Sequence, residues 1–239
     1  MKHRILAILL LAACLLTLLP ATAMAVPETE TRSKGGKLIA LTFDDGPGPY
    51  TRRLLEGLAK RGIKATFFML GQQAENYDVT AGLVRDAGHQ IASHTYDHPQ
   101  LSKKTDSQVR WQISHTADIL NGITGYGTHY LVRPPYGDYD NALIETVDSL
   151  GMSAIQWSVD SLDWKESATP DSIFKRVTGR VTNGSIVLFH NDADHTPEAL
   201  PGILKCLKEQ GYEFVFISDL ILKDNYTIDH TGKQCPSAA

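Results

Sequence analysis

KLIALTFDDGPGPYTRRLLEGLAKRG, residues 37–62, changes character twice in a short span. KLIALTF is apolar and β-favouring, Asp44-Asp45-Gly46-Pro47-Gly48-Pro49 turns, and PYTRRLLEGLAKRG has helical spacing and ends on Gly62 at a C-cap position. A strand that feeds a helix through a short loop is one βα unit. The alternation repeats down the chain. Strands are expected in ATFFML (65–70), HQIASH (89–94), HYLVRPP (129–135), SAIQWSV (153–159), SIVLFH (185–190) and YEFVFIS (212–218). Helices are expected at 77–88, 105–122, 140–151, 169–181 and 196–211. In the second of these, Val109, Ile113, Thr116 and Leu120 share one face, and Gly88, Gly151 and Gly211 close three others. Such a series forms parallel βα units that close a barrel or a doubly wound sheet.

Composition agrees with a folded domain. The 239 residues are 42% hydrophobic and 21% charged, a globular balance, and a single α/β barrel of this length is usual. A net charge of −4 gives no reason to expect a nucleic-acid partner. The start is basic (MKHR), then apolar, then broken at Pro20 and followed by small residues, which predicts a secretory leader over 1–25 cleaved after Ala25. A lipoprotein site at Cys14 and an uncleaved anchor are the alternatives. Loss of Lys2 and Arg4 with the leader takes the charge from −4 to −6. Residues 26–36 read as a linker and 223–239 as a polar, loose tail. Cys206 and Cys235 then have the option of pairing, which spacing does not decide.

Reactive residues gather at the predicted strand ends. Asp44 and Asp45 end the first strand, His94 the third with His98 four residues on, Arg133 the fourth, Asp160 and Asp163 the fifth, and His190 the sixth. In a parallel β/α barrel those ends open on one face, where active sites are built. Two imidazoles and a carboxylate form a common set for a divalent metal. One helical turn is expected to bring His94 and His98 together, shortened by Pro99. Strand side chains alternate, but departure into Gly46-Pro47 lets both carboxylates face the pocket, one on a metal and one near its water as a candidate base. Asp163 beside His190 favours an imidazolium acid, and Arg133 is suited to pair with a carboxylate. Taken singly, each piece has a plainer reading as a turn, bend or solvated side chain. Trp111 and Trp157 read as core, NDADH (191–195) as a polar turn, and His89, His115, His129, His195 and His230 as solvated.

TFDDG, HTYDHP, RPPYG, DSLDW and LFH occur in that order between about Lys37 and Leu222. The chain thereby resembles the polysaccharide deacetylases of carbohydrate esterase family four, the NodB-homology domain. The resemblance implies a distorted (β/α) barrel with seven or eight parallel strands that hydrolyses N-acetyl groups of polymeric amino sugars. It implies that Asp45, His94 and His98 hold one divalent metal, zinc foremost and cobalt, nickel or manganese as alternatives. Asp44 would be the general base, oriented by Arg133, and His190 the acid, tuned by Asp163. The Tyr136 backbone N–H would stabilise the oxyanion, with Trp164 and Leu188 lining the acetyl pocket. The expected substrate is peptidoglycan N-acetylglucosamine, with chito-oligosaccharide or acetylated xylan as alternatives, and no obligate protein partner is implied. A catalytically inert wall-binding protein is the non-enzymatic alternative. Two positions depart from the family pattern: Asp140 stands where Asn is frequent, and Asn191 where Asp is.

Overall fold

The computed structural model describes residues 36–125, 130–229 and 232–237. The leader, all of the linker but Gly36, His129 and His230 lie outside them. The first half runs β1 (Lys37–Gly46), α1 (Thr51–Ala59), β2 (Thr66–Met69), α2 (Gly71–Asn76), α3 (Asp78–Asp86), β3 (Gln90–Ser93), α4 (Asp106–Thr124) and β4 (Leu131–Val132). The second half runs α5 (Asn141–Ser149), β5 (Ser153–Ala154), β6 (Val159–Asp160), α6 (Pro170–Thr178), β7 (Ser185–His190), α7 (Thr196–Glu209), β8 (Tyr212–Phe214) and α8 (Ile217–Leu220), then β9 (Tyr226–Ile228) and β10 (Gln234–Pro236).

Eight strands form one parallel sheet in the order β5-β4-β3-β2-β1-β7-β6, with β8 added beside the start of β1. The two end strands of that order, β5 and β6, are consecutive in the chain and joined by residues 155–158 alone. Four extended residues reach roughly 14 Å, so the sheet must curl until its ends are close. Among the described residues no ladder joins them. The result is a distorted (β/α) barrel with one open seam, which settles the choice between barrel and flat sheet.

β1 is buried along most of its length because the barrel interior covers one face and the helical layer the other. Ile39, Leu41 and Phe43 face the helices, and Phe43 stacks on Phe67 at 5.0 Å and on Phe189 at 5.4 Å. Ala40, Phe68, Ala92, Leu131, Ile155 and Ile217 fill the interior floor. α4 buries Val109, Ile113, Thr116 and Leu120 as its periodicity predicts, and a Thr105–Gln108 capping box starts it.

Several expectations are corrected. SAIQWSV is two short strands at opposite edges, because the chain crosses the seam there. YEFVFIS is β8 followed by α8, since Ile217 is drawn under the barrel floor. α2 was not expected; its six residues are too few to show a period. The tail is not loose: β9 and β10 pair antiparallel, and the Gln234 side chain exchanges hydrogen bonds of 2.7 and 3.0 Å with the Leu222 backbone. Trp111 is half exposed rather than core, stacked on His115 one turn along α4. His89 is buried rather than solvated. Its Nδ1 accepts from the Ala65 amide at 3.1 Å, and burial lowers its pKa to about 4. Cys206 and Cys235 are both free thiols.

Candidate active site

Register builds the site. Thr42 lies beside Leu188 and Asp44 beside His190 on adjacent strands β1 and β7. Alternation therefore places these four side chains on the inner face, while Phe43 and Phe189 face out. Asp45 should follow Phe43 outward, but its φ of +66° and a register irregularity after Phe43 turn it back. Both carboxylates consequently meet one imidazole: His94 Nε2 is 3.7 Å from Asp44 Oδ2 and 3.4 Å from Asp45 Oδ1. His98 Nε2 approaches Asp45 Oδ1 at 3.5 Å. No helical turn links the two histidines. Loop 94–98 is irregular, with Thr95 at φ +70° and His98 at φ +61°, and Pro99 keeps it from becoming helical.

The left-handed residues are concentrated here. Of the non-glycine residues with positive φ, Asp45 lies in the last residues of β1, Thr95, His98, Tyr136 and Leu162 follow strand ends on this face, and Asn225 alone lies elsewhere among the described residues. Backbone held in such conformations clusters at functional sites.

Arg133 lies between the apolar floor and the carboxylates, with no exposed surface. Its guanidinium stacks on Phe68 at 4.1 Å, and Nη1 donates to Asp44 Oδ1 and to Thr42 Oγ1, both at 2.7 Å. Nη2 and Nε donate to the carbonyls of Gln156 (3.2 Å) and Ile155 (3.4 Å). Burial raises the Asp44 pKa, and Arg133 is the largest influence opposing it. Asp44 Oδ2, the oxygen Arg133 leaves free, lies 3.7 Å from His94 Nε2.

Asp163 and His190 form a second pair. Asp163 Oδ1 accepts from His190 Nδ1 at 2.7 Å, while Oδ2 accepts from the His190 amide at 2.9 Å and from Thr196 Oγ1 at 2.6 Å. Burial opposes a charge on His190. The hydrogen bond and charge of Asp163, with Asp44 and Asp45 behind, outweigh it and raise the pKa to about 9.

A cation fits the first cluster. The Arg133 carbonyl can only accept, so His94 Nδ1 carries the proton in their 2.7 Å hydrogen bond and Nε2 presents a lone pair. Burial lowers the His94 pKa to about 3, so no second proton covers that lone pair. It faces Asp45 Oδ1, a buried oxygen with no hydrogen-bond partner. Two acceptors 3.4 Å apart repel unless a positive charge lies between them. The ligating atoms of Asp45, His94 and His98 lie within 4.8 Å of one another, as a shared ion requires.

The remaining expected residues surround this centre. Tyr136 is at φ +62°, its ring 4.5 Å from that of His98, and among the described residues nothing accepts from its backbone N–H. Leu188 is buried on the inner face, and Trp164 is 55% exposed. Asp160 takes no part; it accepts from the Leu162 amide as a turn residue. Asn191 anchors the loop after β1, its Nδ2 donating to Thr51 Oγ1 at 2.6 Å and its side chain lying against Gly46. A Cβ at Gly46 would come within 2.8 Å of it, so only glycine fits. Thr42 and Thr196 were not singled out from sequence. Thr42 was within reach, two residues before Asp44 on the same face, whereas nothing local marks Thr196.

Over residues 31–155, more than half of its length, the sequence matches the polysaccharide deacetylase family. The chain belongs to that family. It is 40% identical over 203 residues to the peptidoglycan-N-acetylglucosamine deacetylase PgdA of Listeria monocytogenes, covering 83% of this chain and 42% of that relative. This family member thus spans less than half the length of PgdA. Among solved structures it is similar to the Bc1960 peptidoglycan N-acetylglucosamine deacetylase, with a TM-score of 0.75 and 34% identity over 79% of this chain and 89% of that one. It is nearly as similar to BA3943 of Bacillus anthracis, a family pseudoenzyme, with a TM-score of 0.74 and 31% identity over 79% of this chain and 66% of that one. Family membership therefore leaves activity to be argued from the site.

Proposed function

We propose that the protein is a metal-dependent polysaccharide N-deacetylase that removes the acetyl group from N-acetylglucosamine of peptidoglycan, outside the cell, once the leader over 1–25 is removed. The observation that carries this reading is the separation of charge states across one pocket. An orphaned Asp45 oxygen and a bare His94 nitrogen converge beside the Asp44 carboxylate, and an imidazolium pair, His190–Asp163, joins them.

Asp45, His94 and His98 would hold the ion, zinc foremost for a mixed nitrogen and oxygen set. A bound divalent ion supplies Lewis-acid polarisation and acidifies water. Asp44 Oδ2 takes the proton of the attacking water, while Arg133 holds Oδ1 and keeps the carboxylate aimed. The Tyr136 N–H donates to the acetyl oxygen as negative charge develops on it. His190 gives its Nε2 proton to the departing nitrogen while Asp163 retains the Nδ1 proton, so water and amide become acetate and a free amine. Leu188 and Trp164 form the wall beside the acetyl methyl.

Acetate release tests the reading. Peptidoglycan is expected to yield acetate, chelation to stop it and added Zn²⁺ to restore it, with chito-oligosaccharide and acetylated xylan turned over more slowly. Acetate from either of those but not from peptidoglycan overturns the substrate. No acetate from any of the three by the zinc-loaded protein leaves the inert wall-binding alternative. Asp163→Asn tests the acid. Activity needs protonated His190 and falls as pH rises through its pKa, so removal of the stabilising carboxylate is expected to start that fall at lower pH, by roughly one to three units. An unmoved alkaline limb in the pH dependence of kcat/KM assigns the acid elsewhere.

A further inference from the structure

We infer that Gln112, on α4, is a positioning residue that keeps His98 in reach of Asp45 by clamping the backbone of loop 94–98. The inference rests on the metal-site reading of Asp45, His94 and His98 and adds a residue outside all the motifs that support it.

The loop is bent against its own preferences. Thr95 and His98 are both left-handed, at φ +70° and +61°, although neither is glycine. Such conformations persist where the surroundings over-determine them. Two sets of hydrogen bonds do so here. On the carbonyl side, the first amides of α2 donate to the loop, Gly71 to Thr95 O at 2.9 Å and Gln72 to Tyr96 O at 3.0 Å. On the amide side, Thr95 N–H donates to Ser93 Oγ at 3.3 Å, and one side chain holds the next two amides. Gln112 Oε1 accepts from the amides of Tyr96 (2.8 Å) and Asp97 (3.4 Å), and Gln112 Nε2 donates to Asp97 Oδ1 at 2.6 Å. Gln112 is 7% exposed, so water has little access to replace it.

The clamped amides lie between the two left-handed residues, directly before His98. His94 does not depend on them. Its amide donates to Met69 O at 2.8 Å and its ring to the Arg133 carbonyl at 2.7 Å, and its side chain is buried. The His98 side chain is 26% exposed, and ring contacts with His94 and Tyr136 are what steady it. Loosening the clamp therefore acts on His98 selectively. Outer groups that orient a ligand typically change metal affinity by about 10–100-fold.

Zn²⁺ affinity of the full chain, measured by competition with a chromophoric chelator, tests this, with Tm of each metal-free variant as the control for folding. Gln112→Ala is expected to weaken Zn²⁺ binding about 10–100-fold. Gln112→Glu keeps an acceptor for both amides but sets an oxygen against Asp97 Oδ1, and is expected to weaken binding as well. Combining Gln112→Glu with Asp97→Asn exchanges donor and acceptor, and affinity is expected to return to within about threefold of the unaltered protein. Should Gln112→Ala not fold, the Gln112→Glu pair decides alone. Unchanged Zn²⁺ affinity in the single variants, even with a lowered Tm, overturns the inference and leaves Gln112 merely structural. A double variant as weak as Gln112→Glu overturns it too. Failure of the unaltered chain to bind Zn²⁺ overturns the metal-site reading along with it.

Discussion

Asp44→Asn is expected to lower the rate of acetate release by about two to four orders of magnitude, the range ascribed to a positioned general base, while Zn²⁺ binding survives. Asparagine has the same shape, and its oxygen can still accept from Arg133 Nη1, which holds Asp44 Oδ1 at 2.7 Å. What it lacks is a basic oxygen at the position of Oδ2, the atom 3.7 Å from His94 Nε2. Asp45, His94 and His98 are untouched, so the ion should remain. The pair of measurements, acetate release and bound Zn²⁺, separates the two aspartates. Loss of both would make Asp44 a ligand as well. Full turnover would remove it from the mechanism and move the base to another group.

Arg133→Met is expected to lower the free energy of unfolding by about 3–5 kcal/mol, the usual consequence of removing one partner of a buried ion pair. The stem of methionine can still lie against Phe68. Asp44, however, is left 2% exposed with its counter-charge gone, and the carbonyls of Ile155 and Gln156 each lose a donor. Those carbonyls lie on the connection that crosses the barrel seam, so the guanidinium ties that connection to β1 as well as holding the base. Combining Arg133→Met with Asp44→Asn removes the buried charge and is expected to recover part of the loss. Urea denaturation of the two single variants and the double variant measures this. A single variant within about 1 kcal/mol of the unaltered protein, the scale of an ordinary surface pair, would mean that water reaches Asp44.

Much of the site was legible because strand chemistry has a short period. Asp44, His94, Arg133 and His190 follow from their places at strand ends, whereas Leu188 came only with the family resemblance and its inward face from the β1–β7 register. The route by which His98 reaches the site was misread. An i, i+4 spacing suggests a helical turn, but the protein uses two left-handed residues and borrows hydrogen bonds from α2 and α4. No pattern in HTYDHP announces that its amides are satisfied from a helix that begins after it. Thr196, which holds the second oxygen of Asp163, was equally hidden, since its partner lies 33 positions away.

Hydrophobic period, glycine stops and the placing of polar residues at strand ends suffice, as local properties, to call for parallel βα units and one reactive face. They do not say how far the sheet curls. That depends on residues 155–158 joining its two edges, and on a buried arginine whose four acceptors come from β1 and that same connection. Hydrogen bonds between residues 89 and 91 positions apart set Arg133 against Asp44 and Thr42. Their partners are chosen by packing across the barrel, and short-range spacing carries no trace of that choice.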